Sequence, residues 1–342
     1  MSKAAELAAL IGSQTALSNR NLIINGAMQV AQRSTSVSVS TSVTYATLDR
    51  WQFSYGDSSS NEFSTYTMSQ DSDAPSGFAN SMKFICTTAA SAPSANTAAL
   101  VQQKFEGQDV QQIQFATSGA KTLTASFYVK SNQTGNIGVQ LFAEDDATMN
   151  SQLISIDTAN TWEFKTVTFA AKTSGTQIPD DNTVGFRLRF VFEYNTGRAF
   201  GTANTWAAKQ TNSQLVPAGT SARTSSLNDT FFLAGVQLEV GEQATPFEHL
   251  FYSDELRRCE RYYYQVNTVA GGNIAYFHNY NDSTKMVSVY HPVTMRTIPT
   301  ATVTGNVGTE YRSHDGHFQM FYGSTNSNTT LNLDTMFFDA EL

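Results

Sequence analysis

Between residues 51 and 240 the apolar side chains of this chain recur at every second position, with no helical spacing between the segments that carry them. In 184–192 the residues Val184, Phe186, Leu188, Phe190 and Phe192 share one side, and Arg187 and Arg189 the other. In 121–130 the residues Leu123, Ala125, Phe127 and Val129 alternate with Thr122, Thr124, Ser126 and Tyr128. Successive side chains of a strand point to opposite faces, so each segment offers an apolar face that must be covered by a second layer. Further strands are expected at 22–24, 51–55, 63–68, 82–86, 98–105, 137–142, 162–169 and 231–240, and an exposed polar segment or edge strand at 34–44. Many short strands without intervening helices predict an all-β sandwich. The span is about twice the roughly 100 residues of an immunoglobulin domain, which favours a jelly roll.

The segment 231–264 predicts where this domain closes. Its first part alternates as a strand, with Phe232, Ala234, Val236 and Leu238 opposed to Leu233, Gly235 and Gln237. Gly241 breaks it, and Pro246 carries the chain out of the sheet. Ser253 is placed to cap a short helix, with Asp254 and Glu255 in its first turn and Leu256, Cys259 and Tyr263 on one face. Further strands are expected at 274–277, 286–290, 301–304, 318–322, 330–333 and 336–338, with Asp315-Gly316 as a two-residue hairpin turn. At the other end, Ala4, Leu7, Ala8 and Ile11 repeat at helical spacing and predict an amphipathic helix too short to hold alone. Its stripe needs a partner: a second protein, or the same helix in other copies of the chain. The expected organisation is an N-terminal helix and linker over 1–20, a jelly roll over 21–245, a linking segment with a short helix over 246–265, and a small β domain over 266–342.

Three stretches carry a family resemblance. They are AGVQLEVG with ATPFE and ELRRCERYYY in the closing segment, NLIINGAMQVAQRS at 21–34 with LDRW at 48–51, and MRTIPT at 295–300. Together they resemble bacteriophage tail-fibre and related virion fibre proteins. The resemblance implies a carbohydrate-binding-module-like jelly roll and a structural role in the particle, with no catalytic residues to transfer. It also implies assembly on the virion exterior, attachment of the N-terminal helix to other tail or capsid proteins, and a homotrimer.

Composition agrees with such a surface. Only 15% of residues are charged, against roughly 25% in an average soluble protein. Lys+Arg 21 against Asp+Glu 29 leaves a net charge of −8, so a nucleic-acid partner is not expected. A polyanionic ligand would need a local basic patch, and along the sequence only Arg257, Arg258 and Arg261 cluster. No stretch is long and apolar enough to predict membrane insertion. Residues 1–12 include Glu6 and lack the apolar run of a signal peptide. Cys86 and Cys259 are expected as buried thiols.

Candidates for chemistry are few. Glu144, Asp145 and Asp146, and separately Asp180 and Asp181, suggest loop acids, with a weak case for Ca²⁺ at Asp145, Asp146, Asp180 or Asp181. His314 and His317 flank a turn but are too few for a closed metal site. No metal and no cofactor are expected, and no pairing of carboxylates across a cleft can be read. Flat aromatic rings can stack on sugars. Trp206, lying in the long polar connection 195–229 that also holds Phe200, and Tyr280 are the leading candidates, with Trp51 and Trp162 behind them and Tyr194, Tyr276, Tyr311 and Tyr322 as further rings. The function expected is a trimeric tail fibre that adheres to host surface polysaccharide without catalysis. The alternatives are a capsid-decorating head fibre and a polysaccharide depolymerase.

Overall fold

The computed structural model describes residues 20–40, 43–56, 64–209, 215–267, 278–281, 284–305, 310–323 and 333–342. The chain divides into two units, Met1–Leu250 and Phe251–Leu342.

In the first unit, strand formation follows the period-two alternation. Its strands are β1 (Ser36–Val39), β2 (Gln52–Gly56), β3 (Thr65–Asp71), β4 (Ser81–Thr88), β5 (Ala98–Glu106), β6 (Leu123–Ser131), β7 (Gly135–Ala143), β8 (Thr148–Ile156), β9 (Glu163–Phe169), β10 (Val184–Tyr194), β11 (Ala207–Ala208) and β12 (Thr230–Val240). They form two six-stranded sheets, ordered β1-β3-β4-β12-β6-β9 and β11-β8-β7-β10-β5-β2. β12 inserts between β4 and β6, and β10 between β7 and β5, all antiparallel. Sequence neighbours are thus separated by late-arriving strands, the crossover pattern of a jelly-roll sandwich. The inner faces meet in one core. Phe127 of one sheet meets Phe190 of the other edge-on at 4.9 Å, Phe84 meets Phe192 at 4.7 Å, and Phe231 stacks on Phe192 at 5.0 Å. All five rings are buried. Each such ring contributes on the order of 1.5–3 kcal/mol by leaving water.

Two local expectations are corrected. Residues 22–24 are not a strand. Asn21 and Asn25 capture that backbone instead. Asn21 Oδ1 accepts from Ile23 N (3.0 Å) and Leu238 N (3.1 Å), while Asn25 Oδ1 accepts from Gln29 N and Val30 N at 2.9 Å. Asn side chains offer the chain such an alternative to a ladder. β8 was not expected, because its core-facing positions include Asn150 and Gln152, opposite Leu141 and Val139 of β7. These amides find partners in Asn204 and in the Thr168 carbonyl.

The long connection is pinned by two buried arginines. Arg198 Nε donates to the Asn96 carbonyl. Arg223 donates to the carbonyls of Phe192, Gln133 and Thr134 and to Ser131 Oγ. Both are under 10% exposed, so their bonded positions fix the loop against the sandwich.

The second unit holds helix α1 (Tyr252–Glu260), β13 (Tyr263–Asn267), β14 (His278–Asn281), β15 (Thr284–Tyr290), β16 (Thr300–Gly305), β17 (Glu310–Ser313), β18 (His317–Gly323) and β19 (Leu333–Asp339). Two sheets form, β13-β19-β16 and β14-β15-β18-β17. α1 begins after Phe251 with no side-chain cap, so Ser253 lies within the first turn rather than at the N-cap. Tyr263 is already strand, since Tyr262 N closes the helix on the Cys259 carbonyl. Asp315-Gly316 does turn the β17–β18 hairpin, with His314 N donating to the His317 carbonyl. The expected strand at 274–277, and all of the one at 330–333 except Leu333, lie outside the described residues, as do Ala4, Leu7, Ala8 and Ile11 of the expected N-terminal helix. Cys86 and Cys259 are both buried.

His291 lies beside the small core of this unit, 4.7 Å from the Phe338 ring. The Asp315 carbonyl, 3.1 Å from Nδ1, keeps the neutral ring's proton there, and Nε2 is buried without a partner. Burial holds its pKa below the ordinary 6.5. The unfolded chain therefore takes the proton more readily. Stability of this unit is complete above that ordinary value and falls as pH drops through it, until the folded form also protonates. Thermal unfolding at pH 7.5 and 5.5 is expected to show a larger loss for the native chain than for His291→Phe; equal losses would contradict this role.

Candidate functional site

The residues that alternate with the core set the outer face of the sheet β1-β3-β4-β12-β6-β9. On β6 these are Thr124, Ser126, Tyr128 and Lys130; on β9 they are Phe164, Thr166 and Thr168. Pairing registers align them in rows across the strands. One row runs Lys83–Phe232–Lys130 and continues to Trp162, the residue before β9. The next runs Ala234–Tyr128–Phe164, and below it lie Ser126–Thr166 and Thr124–Thr168.

The first row alternates cation and ring. Lys130 Nζ lies 4.5 Å from the Phe232 centroid and 5.1 Å from that of Trp162, and Lys83 Nζ lies 5.3 Å from Phe232. Trp162 meets Phe232 edge-on at 5.9 Å. In the second row Tyr128 and Phe164 are 5.1 Å apart.

The β3–β4 connection folds over this face and braces it. Asp73 pairs with Lys130 and accepts from Trp162 Nε1 at 3.1 Å, which sets the indole's orientation. The Lys130 bond holds the Asp73 carboxyl below the usual range, against a smaller opposing effect of burial. Phe78 packs on Tyr128 (5.6 Å), Phe247 (4.9 Å) and His249 (5.2 Å). Its ring fits because β12 bulges at Gly235, where φ is +56° and an added Cβ would lie 2.6 Å from Phe78.

What stays open to solvent is the β9 edge. Phe164 is 52% exposed and Trp162 half-buried, two positions apart on one face and so about 6.7 Å from each other along the strand. Beside them stand the Asp73 carboxylate and the threonine hydroxyls. Apolar ring faces next to hydroxyl and carboxylate groups suit a ligand that is itself apolar on one side and hydroxylated at its rim.

The other expected positions lie elsewhere. Trp51 is fully buried, its Nε1 donating to the Asn25 carbonyl. Trp206 packs on Phe115 at 5.1 Å and donates to the Ala170 carbonyl, so this loop ring faces its own unit. Tyr280 lies in β14, its side chain outside the described residues, as are those of Tyr311 and Tyr322 and all of Tyr276. Tyr194 is buried. Asp146 is consumed by Thr176 N, Thr148 Oγ1 and Lys172, and Asp181 by Thr183, while Asp180 is exposed. Asp145 faces the charge of Asp181; burial, with that charge behind it, raises its pKa. His314 and His317 stack at 4.5 Å. Among the described residues no three or more His, Cys, Asp or Glu converge as a metal site. Phe164 was missed, although its place two residues from Trp162 and out of phase with Val167 and Phe169 is the signal that reveals it.

No protein-family model and no curated sequence matches the chain. Solved structures similar to it include the enzymatically active domain of tailspike protein 4 from bacteriophage CBA120, at 13% identity over 65% of this chain and 21% of that one, with a TM-score of 0.31. A putative sugar-binding protein from Bacteroides thetaiotaomicron shares 13% identity over 65% of this chain and all of its own, with a TM-score of 0.37. TmCBM61, solved with β-1,4-galactotriose, shares 7% over the same extents, at 0.32. At these scores no fold family is assigned by likeness, and the sandwich stands on its own strand pairing.

Gly235→Ala is expected to destabilise the first unit by about 1–3 kcal/mol, from a strained left-handed backbone and a displaced Phe78. Chemical denaturation measures this, and an unchanged midpoint would contradict the bulge's role.

Proposed function

We propose that the first unit is a carbohydrate-binding sandwich and that the chain is a virion fibre subunit which adheres to host surface polysaccharide without cleaving it. The observation that carries the binding reading is the pair Trp162 and Phe164, side by side on an open sheet edge beside Asp73 and the threonine rows. A pyranose ring presents apolar C–H faces and a hydroxylated rim, and this surface offers a match for each. The tail-fibre role rests on the segments 21–34, 48–51, 231–264 and 295–300 that resemble such fibres.

Titration calorimetry with purified host surface polysaccharide tests the site. Trp162→Ala and Phe164→Ala are each expected to weaken binding roughly tenfold or more while leaving the melting temperature nearly unchanged, as truncation of an aromatic anchor does. Undiminished affinity in both variants would refute the site. Reducing ends are expected to stay constant during incubation with the same polysaccharide; a steady rise would favour depolymerase activity.

A homotrimer is the second part of the proposal. Four of the seven large apolar side chains most exposed among the described residues, Phe251, Tyr252, Tyr290 and Ile298, belong to the smaller C-terminal unit. Exposed apolar surface in that proportion suits contact between copies. Light scattering at micromolar concentration is expected to give three times the chain mass; a monomer mass would exclude the trimer.

A further inference from the structure

The outer face of the other sheet has a different character, and its charge does not balance. One row there is a continuous hydrogen-bonded ladder across five strands. Gln102 Nε2 donates to Gln52 Oε1 (2.6 Å), and Arg189 donates from Nε to Gln102 Oε1 (2.9 Å) and from Nη1 to Gln140 Oε1 (2.8 Å). Gln140 Nε2 closes the ladder on Ser151 Oγ (2.7 Å). Each pair is directly opposite in register. The ladder therefore holds the Arg189 cation with neutral amides, and among the described residues no carboxylate pairs with it.

The neighbouring row brings Arg187 opposite Phe142, and Lys209 reaches over from the long connection. Arg189, Lys209 and Arg187 lie 4.9, 5.4 and 5.7 Å from the Phe142 centroid. The carboxylate paired within this group is Glu144, 2.7 Å from Arg187 Nη2, and Arg187 Nε is buried without a hydrogen-bond partner. Three cations converge on one ring with one acid between them, in a chain whose net charge is −8. Burial first, and then the Arg187 charge, push the Arg189 guanidinium down to about 9, still protonated at neutral pH. Bringing like charges together in a partly desolvated place costs free energy that a bound anion would recover.

We infer that Arg187, Arg189 and Lys209 around Phe142 form an anion-binding site for the carboxylate or phosphate groups of an acidic polysaccharide. Guanidinium groups hold such planar or tetrahedral oxyanions through paired donors, and the unpartnered Nε of Arg187 is one. This site lies on the opposite sheet from Trp162 and does not depend on the reading of that face. Three clustered cations are too small a footprint for duplex DNA, which binds through many phosphate contacts, and fit the separate anionic groups of a saccharide.

The test uses the full chain with four probes: polygalacturonate, inorganic phosphate, neutral dextran and duplex DNA. Polygalacturonate is expected to bind at low ionic strength, to weaken with added salt, and to lose roughly fivefold or more in affinity in Arg187→Gln. Lys209→Gln serves as the second variant, because its side chain is exposed and its contact is with the Phe142 ring alone, so its loss leaves the sandwich core intact. Stabilisation by inorganic phosphate alone, lost in both charge variants, keeps the site and assigns it to phosphate-bearing glycans. The inference is overturned if neither anion binds, if the charge variants bind like the native chain, if dextran binds equally, or if DNA alone binds through these residues.

Discussion

Interdigitation of two aromatic inner faces is the interaction on which the rest of this structure depends. Phe53, Phe84, Phe127, Phe190, Phe192 and Phe231 are buried between the sheets, and each fixes the phase of its strand. A slip of one residue in any of them would turn its whole apolar set to solvent. Because that phase is fixed, so is every outward residue. Trp162 and Phe164 share a face because Val167 and Phe169 must go inward. Arg187 and Arg189 point out because Phe186, Leu188 and Phe190 point in. The two surfaces given functions here are consequences of the core, read from its other side.

The polar groups complete what the core begins. A sandwich this size needs long connections, and those connections carry backbone groups that must be paired. Asn25 ties residues 28–30 to the core, with Trp51 donating to its carbonyl. Arg198 and Arg223 do the same for residues 195–229, and Ser225 N and the Tyr66 hydroxyl both reach the buried Glu193 carboxyl. Burial raises the Glu193 pKa, while its hydrogen bonds oppose that rise. The segments that resemble virion fibres are, in this light, packing devices: Asn21, Asn25 and Trp51 are buried, and a Cβ on Gly26 would lie 2.1 Å from the Val236 carbonyl oxygen.

How much of this could be read from the residues depends on where the information lay. Strands with a clean apolar face, such as β6, β10 and β12, were legible because alternation is a local signal. β8 was not, since Asn150 and Gln152 occupy core-facing positions and find their partners far along the chain. Residues 22–24 looked like a strand because asparagine turns leave no periodic trace. Trp162 was only one of several candidate rings, ranked behind Trp206 and Tyr280, and could not be separated from Trp51 or Trp206, since exposure is decided by distant partners such as Asn25 and Phe115. The basic cluster around Phe142 was half visible for the same reason: Arg187 and Arg189 share a strand face, but Phe142 and Lys209 join them only through the sheet and the long connection.

The central claim is that the open β9 edge is where a glycan docks. The three indole Nε1–H signals, followed by NMR during addition of host surface polysaccharide, report on it directly. Trp51 is buried, and Trp206 is packed on Phe115 and bonded to the Ala170 carbonyl, so the two serve as internal controls. The account predicts that the Trp162 signal shifts and saturates while the other two stay fixed. A Trp162 signal that does not move, with the polysaccharide shown to bind, would contradict it.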